Sequence, residues 1–146
     1  MVITQISARQ LSQAIHRHQV SCREVMQAFL AQIARHNSNH NAIVNQQDTE
    51  GLIRQADQHD AMLAQGQSMG WMHGLPIAIK DLAATAGIPS TQGSPLLKDF
   101  VPSEDAAMVA RIRRAGAIVI GKTNVPEFGL GSHSFNEVFG TTANAY

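Results

Sequence analysis

The sequence has a single cysteine, no excess of charge of either sign and no long apolar run. A lone Cys22 excludes an internal disulfide framework and fits a reducing compartment. Eleven basic residues stand against eleven acidic ones, and no stretch gathers Lys and Arg, so the electrostatic footprint of a nucleic-acid-binding protein is missing. No hydrophobic segment approaches the roughly 20 residues of a transmembrane helix. The first ten residues, M-V-I-T-Q-I-S-A-R-Q, lack a basic patch leading into an apolar stretch, so no signal peptide is expected there. Internal repeats and low-complexity tracts are also missing. What remains is 146 residues, 44% hydrophobic and 15% charged, enough for one globular domain with a sizeable core. A soluble, cytoplasmic α/β protein without a nucleic-acid or membrane partner is expected.

Several catalytic signatures are absent or false. There is no G-x-S-x-G elbow, and Ser94 and Lys98 lie one residue too far apart for an S-x-x-K pair. Ser132 and Ser134 flank His133, but chain neighbours do not make a triad geometry. Gly116-Ala117-Ile118-Val119-Ile120-Gly121-Lys122-Thr123 fits the P-loop expression letter for letter. The P-loop mechanism needs an open loop across the four variable positions and a helix after them. Here those positions are apolar and read as a strand, so nucleotide binding is not expected. Among seven histidines, His16 and His18 point to different faces of a helix, and His36 and His40 span an Asn/Ser run. No carboxylate or cysteine completes either set, so no metal is expected. Cys22 falls on the core side of its helix and reads as packing.

Periodicity lays out the chain. Capping boxes at Ser7/Gln10 and Ser21/Glu24 open two helices, the second stopped by Asn37-Ser38-Asn39. Residues 42–44 suggest a brief strand, and a third helix runs from Asp48 or Thr49 to Gly66. Residues 1–66 therefore form a helical segment, and residues 67–146 begin an α/β core. Leu75 and Ile77-Ala78-Ile79 read as a strand buried on both faces, ending at Lys80-Asp81. A turn-rich segment follows, punctuated by Gly87, Pro89, Gly93 and Pro95. Ser103 reads as the N-cap of a helix ending at Gly116, and residues 117–120 as a second buried strand, together a parallel βαβ unit. One short helix is expected near 125–128.

Lys80 stands where a strand leaves the core, a common place for ligand-binding groups in α/β sheets. Partly desolvated there, its charged form is disfavoured and it can serve as a base. Taken alone, a strand-end lysine reads more readily as an ammonium in water.

The segment 74–146 resembles the N-terminal part of the amidase signature family. The matching blocks are G-L-P-I-A-I-K-D at 74–81, G-I-P-S-T-Q-G-S at 87–94 and P-S-E-D-A at 102–106, then A-G-A-I-V-I-G-K-T-N-V-P-E-F-G at 115–129 and F-G-T-T-A-N-A-Y at 139–146. The helices before residue 74 look similar too. The resemblance implies an α/β/α fold with a mixed sheet, incomplete in this chain. It implies amide hydrolysis by a Ser–cis-Ser–Lys relay without a cofactor, and it places the lysine's role on Lys80. The acyl side of a small-molecule amide is implied to lie against Gly129, Leu130 and Gly131. Both serines and their glycine-rich loop are implied to lie beyond Tyr146, so residues 1–146 alone are expected to be inactive and to self-associate through unpaired strand edges. Ala143 departs from relatives that often carry arginine there. The alternatives are the A-type component of a glutamine-dependent amidotransferase, against which Val125-Pro126-Glu127-Phe128 leans, and a non-catalytic product that packs on a partner.

Overall fold

Ser7 opens the first helix, α1 (Ala8–His16), through a reciprocal capping box: Ser7 Oγ accepts from Gln10 N, and Gln10 Oε1 accepts from Ser7 N at 3.0 Å. The computed structural model describes residues 2–146. The second helix, α2 (Cys22–His40), starts on the same device, with Ser21 N donating to Glu24 Oε2 and Glu24 N to Ser21 Oγ. A third helix, α3 (Thr49–Ala64), supplies Asp60, whose carboxylate accepts from Cys22 N at 2.7 Å and Arg23 N at 3.0 Å. The amides that begin α2 and lack intrahelical partners are thus largely satisfied by side chains.

Contrary to expectation, α2 runs straight through Asn37-Ser38-Asn39. Asn37 Oδ1 accepts from Ala42 N and Ile43 N, and its Nδ2 donates to Ile43 O. The side chain gathers in the backbone beyond the helix rather than competing with the helix itself. The stop falls at Asn41, in the left-handed region at φ 51°.

Strands β1 (Ile43–Val44), β2 (Pro76–Lys80) and β3 (Ile118–Thr123) form a sheet in the order β1-β3-β2. β1 pairs antiparallel with β3, Ile43 opposite Thr123. Ile118 N donates to Leu75 O at 2.9 Å and Asp81 N to Thr123 O at 3.1 Å, so β2 and β3 advance together and are parallel. The sheet is mixed. Helix α4 (Ala107–Arg114) makes the crossover. It begins at Ala107 and not near Ser103, because Asp105 Oδ1 accepts from Ala86 N at 2.7 Å and Ala106 N donates to Ala84 O. That preceding acidic run is a loop tied to the turn after β2.

Burial separates the two longer strands. Residues 118–122 of β3 are all buried, as its apolar run predicts. In β2 only Ile79 is buried and Pro76, Ile77 and Ala78 are half-buried, which corrects the expectation of two covered faces. Among the described residues β2 is an end strand of the sheet, with a neighbour on one side only.

The chain divides into two compact units. The first comprises the chain through Ile33, with Gln47–Ile77 and Arg111–Ile120. Its core holds Leu11, Ile15, Val25, Met26, Leu52, Ala56 and Ile118, all at or below 3% exposure. Gly74, at φ 75°, lets the backbone pass against Cys22: a Cβ there would fall 2.2 Å from Cys22 Sγ. The second unit comprises Ala34–Gln46, Ala78–Ala110 and Gly121–Tyr146. It includes the antiparallel pair β4 (Phe135–Asn136) and β5 (Gly140–Thr141), and many of its buried side chains are polar.

Candidate active site

Successive side chains of a strand point to opposite faces, and β2 ends by using that rule. Lys80 is exposed, whereas Asp81 immediately after it is completely buried. Asp81 Oδ2 accepts from Thr91 Oγ1 at 2.6 Å and from Thr91 N, and the Asp81 carbonyl accepts from Gln92 N. The chain from 81 to 91 is therefore closed into a loop at its neck.

Inside that loop lies Lys122, the largest fully buried side chain among the described residues. An ammonium has three donors. Here they go to Ala83 O, to Thr85 Oγ1 at 3.0 Å and to Ser90 Oγ at 2.9 Å. Asp81 Oδ1 stands 3.6 Å from the same nitrogen as its counter-charge. Burial pulls Lys122 below the ordinary lysine range, and Asp81 and Asp105 pull it back up. Burial likewise pushes the Asp81 carboxyl up, against its bonds from Thr91 and the charge of Lys122. The close pairing of Lys122 with Ser90 is not a nucleophile–base dyad: the nitrogen has no unoccupied position, and both side chains are buried.

The loop continues to the segment that the family resemblance sets against the acyl group. Ser94 Oγ donates to Glu127 Oε1 at 2.6 Å, and Phe128 N donates to Gln92 O at 2.8 Å. Glu127–Gly129 is a 3-10 turn in which Phe128 takes φ 51°, a left-handed conformation uncommon for a bulky residue. Gly129, at φ 74°, passes so close to Leu82 that a Cβ would lie 2.8 Å from Leu82 Cδ1. Leu82 thereby brings the segment after Lys80 against the loop of Gly129, Leu130 and Gly131. Leu130 is 80% exposed. Beside it Pro126, Phe128, Leu130 and Phe135 line a cavity of about 300 Å³ with Glu127 and Glu137. The loop is braced from below by Asn136, whose Nδ2 donates to Asn124 Oδ1 and Val125 O, both at 2.7 Å.

The two lysines reverse the sequence-based picture in part. Lys80 is the exposed one, and the desolvated one is Lys122, which the sequence presented only as the tail of a false P-loop. Its strand context holds, since Ile118–Thr123 is β3 with Gly121 and Lys122 inside it. An apolar run precedes each of the two lysines, so the sequence alone does not single out Lys122. Histidines form an unforeseen cluster in the first unit. His73 is fully buried, with its ring centroid 4.8 Å from that of His59 and 6.1 Å from that of His16. Their spacing, from three separate segments, carries no sequence motif.

The fold is one shared with amide-cleaving enzymes. The sequence model described as Amidase matches residues 24–146, and the chain belongs to that family. It is 38% identical over 144 residues to the A-type component of the glutamyl-tRNA(Gln) amidotransferase of Salinispora tropica, covering 99% of this chain and 29% of that one. The corresponding protein of Bdellovibrio bacteriovorus is 34% identical over all 146 residues, again 29% of its length. Among solved structures, a peptide amidase from Stenotrophomonas maltophilia superposes with a TM-score of 0.85 at 28% identity, over 96% of this chain and 30% of that one. A fatty acid amide hydrolase, at 23% identity, shares the fold with a TM-score of 0.90 over 97% of this chain and 25% of its own. The chain thus spans less than a third of the length of these relatives. Among its described residues, no helix is long and apolar enough to cross a membrane.

Proposed function

We propose that the protein carrying this chain hydrolyses a carboxylic amide to an acid and ammonia or an amine, with Lys80 as the base of a Ser–cis-Ser–Lys relay. The observation that carries this reading is the family match across 24–146, within which Lys80 ends β2 with its side chain open to solvent and able to receive partners from elsewhere in the protein. In the relay, the Lys80 side chain takes the proton of the bridging serine as that serine takes the proton of the nucleophilic serine. The alkoxide attacks the amide carbonyl, the amine leaves with a proton returned through the same chain, and water hydrolyses the ester. Gly129, Leu130 and Gly131 border the acyl group, and the cavity beside Leu130 receives it. The compartment is the cytoplasm, in keeping with a lone buried Cys22.

The identities to the A-type components of amidotransferases favour a second reading, in which the amide is glutamine and the released ammonia passes to a substrate held by a partner protein. One experiment separates the two. The full-length protein is assayed with a small aromatic amide and with glutamine, as wild type and as Lys80→Ala. The first reading expects turnover of the aromatic amide that falls about 10²–10⁴-fold in the variant, the size of a lost general base. Turnover of glutamine alone supports the second reading, and turnover that survives Lys80→Ala overturns the role given to Lys80.

A further inference from the structure

Lys122 and Lys80 stand on adjacent parallel strands, and Asp81 connects them. Asp81 is the inward side chain at the end of β2, next in sequence to Lys80, and its carboxylate is 3.6 Å from Lys122 Nζ. The same ammonium holds Ala83 O, Thr85 Oγ1 and Ser90 Oγ, three points along the turn that leaves Lys80. Such a buried cation is costly unless paired and fully hydrogen-bonded, and here it is both. The backbone of the segment it organises also closes on itself at Lys80–Ala83, Asp81–Gln92, Thr85–Ile88 and Thr91–Ser94. The first of these turns leaves directly from Lys80, and Lys122 holds its far end through Ala83 O.

We propose that Lys122 is a positioning residue for Lys80. It holds the turn after β2 from within, so that Lys80 leaves the strand at a fixed point. It also offsets the charge of Asp81 behind the base. Lys122 touches no reacting atom. This rests on the reading of Lys80 as the base, but its electrostatic half can be tested without turnover. The charged groups of the network are Lys122, Asp81 and Asp105.

The test uses the full-length protein with lysines reductively ¹³C-methylated. The Lys80 signal is assigned by its loss in Lys80→Arg and titrated by NMR in wild type, Asp81→Asn, Lys122→Met and the double variant. Asp81→Asn leaves a buried cation and is expected to lower the Lys80 midpoint by about half a pH unit. Lys122→Met leaves a buried carboxylate and is expected to raise it by a similar amount. The double variant is expected to return close to wild type. Midpoints that move in the same direction in both single variants, or in neither, overturn the proposal. If Lys122→Met does not fold, Ser90→Ala removes one acceptor while keeping both charges. It is expected to leave the Lys80 midpoint in place and to lower kcat for amide hydrolysis about tenfold with KM unchanged. Unchanged kcat overturns the positioning role. Absence of turnover in the wild-type protein counts against the amide-hydrolysis reading, and the NMR arm then decides the electrostatic claim.

Discussion

Lys122 Nζ and Asp81 Oδ1 face each other across 3.6 Å with neither side chain exposed to solvent. Breaking such a pair from one side leaves an uncompensated charge in the interior, at a cost of about 3–5 kcal/mol. Lys122→Met is expected to destabilise the protein by that order. Combining it with Asp81→Asn is expected to recover part of the loss, since both charges are then gone. Urea unfolding of the four proteins measures this. A double variant as unstable as the sum of the singles would show that the two side chains act independently.

Cys22 gives a second prediction. Burial, with the Asp60 carboxylate beside it, pushes its thiol up to about 12. At pH 8 only about one molecule in ten thousand then carries the thiolate. Cys22 is expected to be inert to a disulfide reagent in the native state and to react fully once the chain is unfolded in urea. Fast native-state labelling would contradict the packing seen around it. Gly74→Ala tests the same contact from the other side. Its Cβ would fall 2.2 Å from Cys22 Sγ on a backbone at φ 75°, so the variant is expected to lose several kcal/mol and expose the thiol.

His73 makes the first unit acid-sensitive. Its Nδ1 accepts from Met69 N at 3.1 Å while Nε2 donates to His59 O at 2.9 Å, so both nitrogens are committed in the neutral ring. A proton on Nδ1 would face the Met69 amide donor. Burial lowers the His73 pKa below the ordinary histidine value; its bond to His59 O and the charge of Asp60 oppose this, and the His59 and His16 rings add to it. With the folded value below the unfolded one, the stability contributed by neutral His73 is fully present above about pH 6.5. It is lost as pH falls through the folded value. The urea midpoint is expected to drop between pH 7 and pH 5 more steeply in wild type than in His73→Gln. Equal slopes in the two proteins would remove His73 from the acid response.

Much of this architecture was legible because local signals agreed with one another. Ser7/Gln10 and Ser21/Glu24 predicted two helix starts, and both boxes form as read. The strand-helix-strand order from Leu75 to Ile120 pointed to the parallel pairing. Misreadings arose where a side chain had a tertiary partner. Ser103 lost its helix because Asp105 and Ala106 bond to the turn at 84–86, and Asn37 allowed α2 to continue because its amide serves residues 42 and 43. The family resemblance rested on residues that lie in the sheet and its adjoining loops, which is why it survived those errors. Neither periodicity nor motif could tell which of two strand lysines was buried, because that depends on the inward register of β3 and on the polar lining of a loop.

The last prediction concerns residues 1–146 expressed alone. β2 ends the sheet among the described residues, and an unpaired strand edge is a template for another chain. In the second unit Leu96, Phe100, Val101, Leu130 and Phe135 are all at least 49% exposed, apolar side chains that a second copy could cover. Residues 1–146 alone are therefore expected to self-associate at micromolar concentration. They are also expected to hydrolyse no aromatic amide, since the relay proposed for Lys80 needs two serines that the family resemblance places beyond Tyr146. Sedimentation velocity and amide exchange test the first point. A monodisperse monomer with slow exchange along both edges of β2 would overturn it, and amide turnover that disappears in Lys80→Ala would overturn the second.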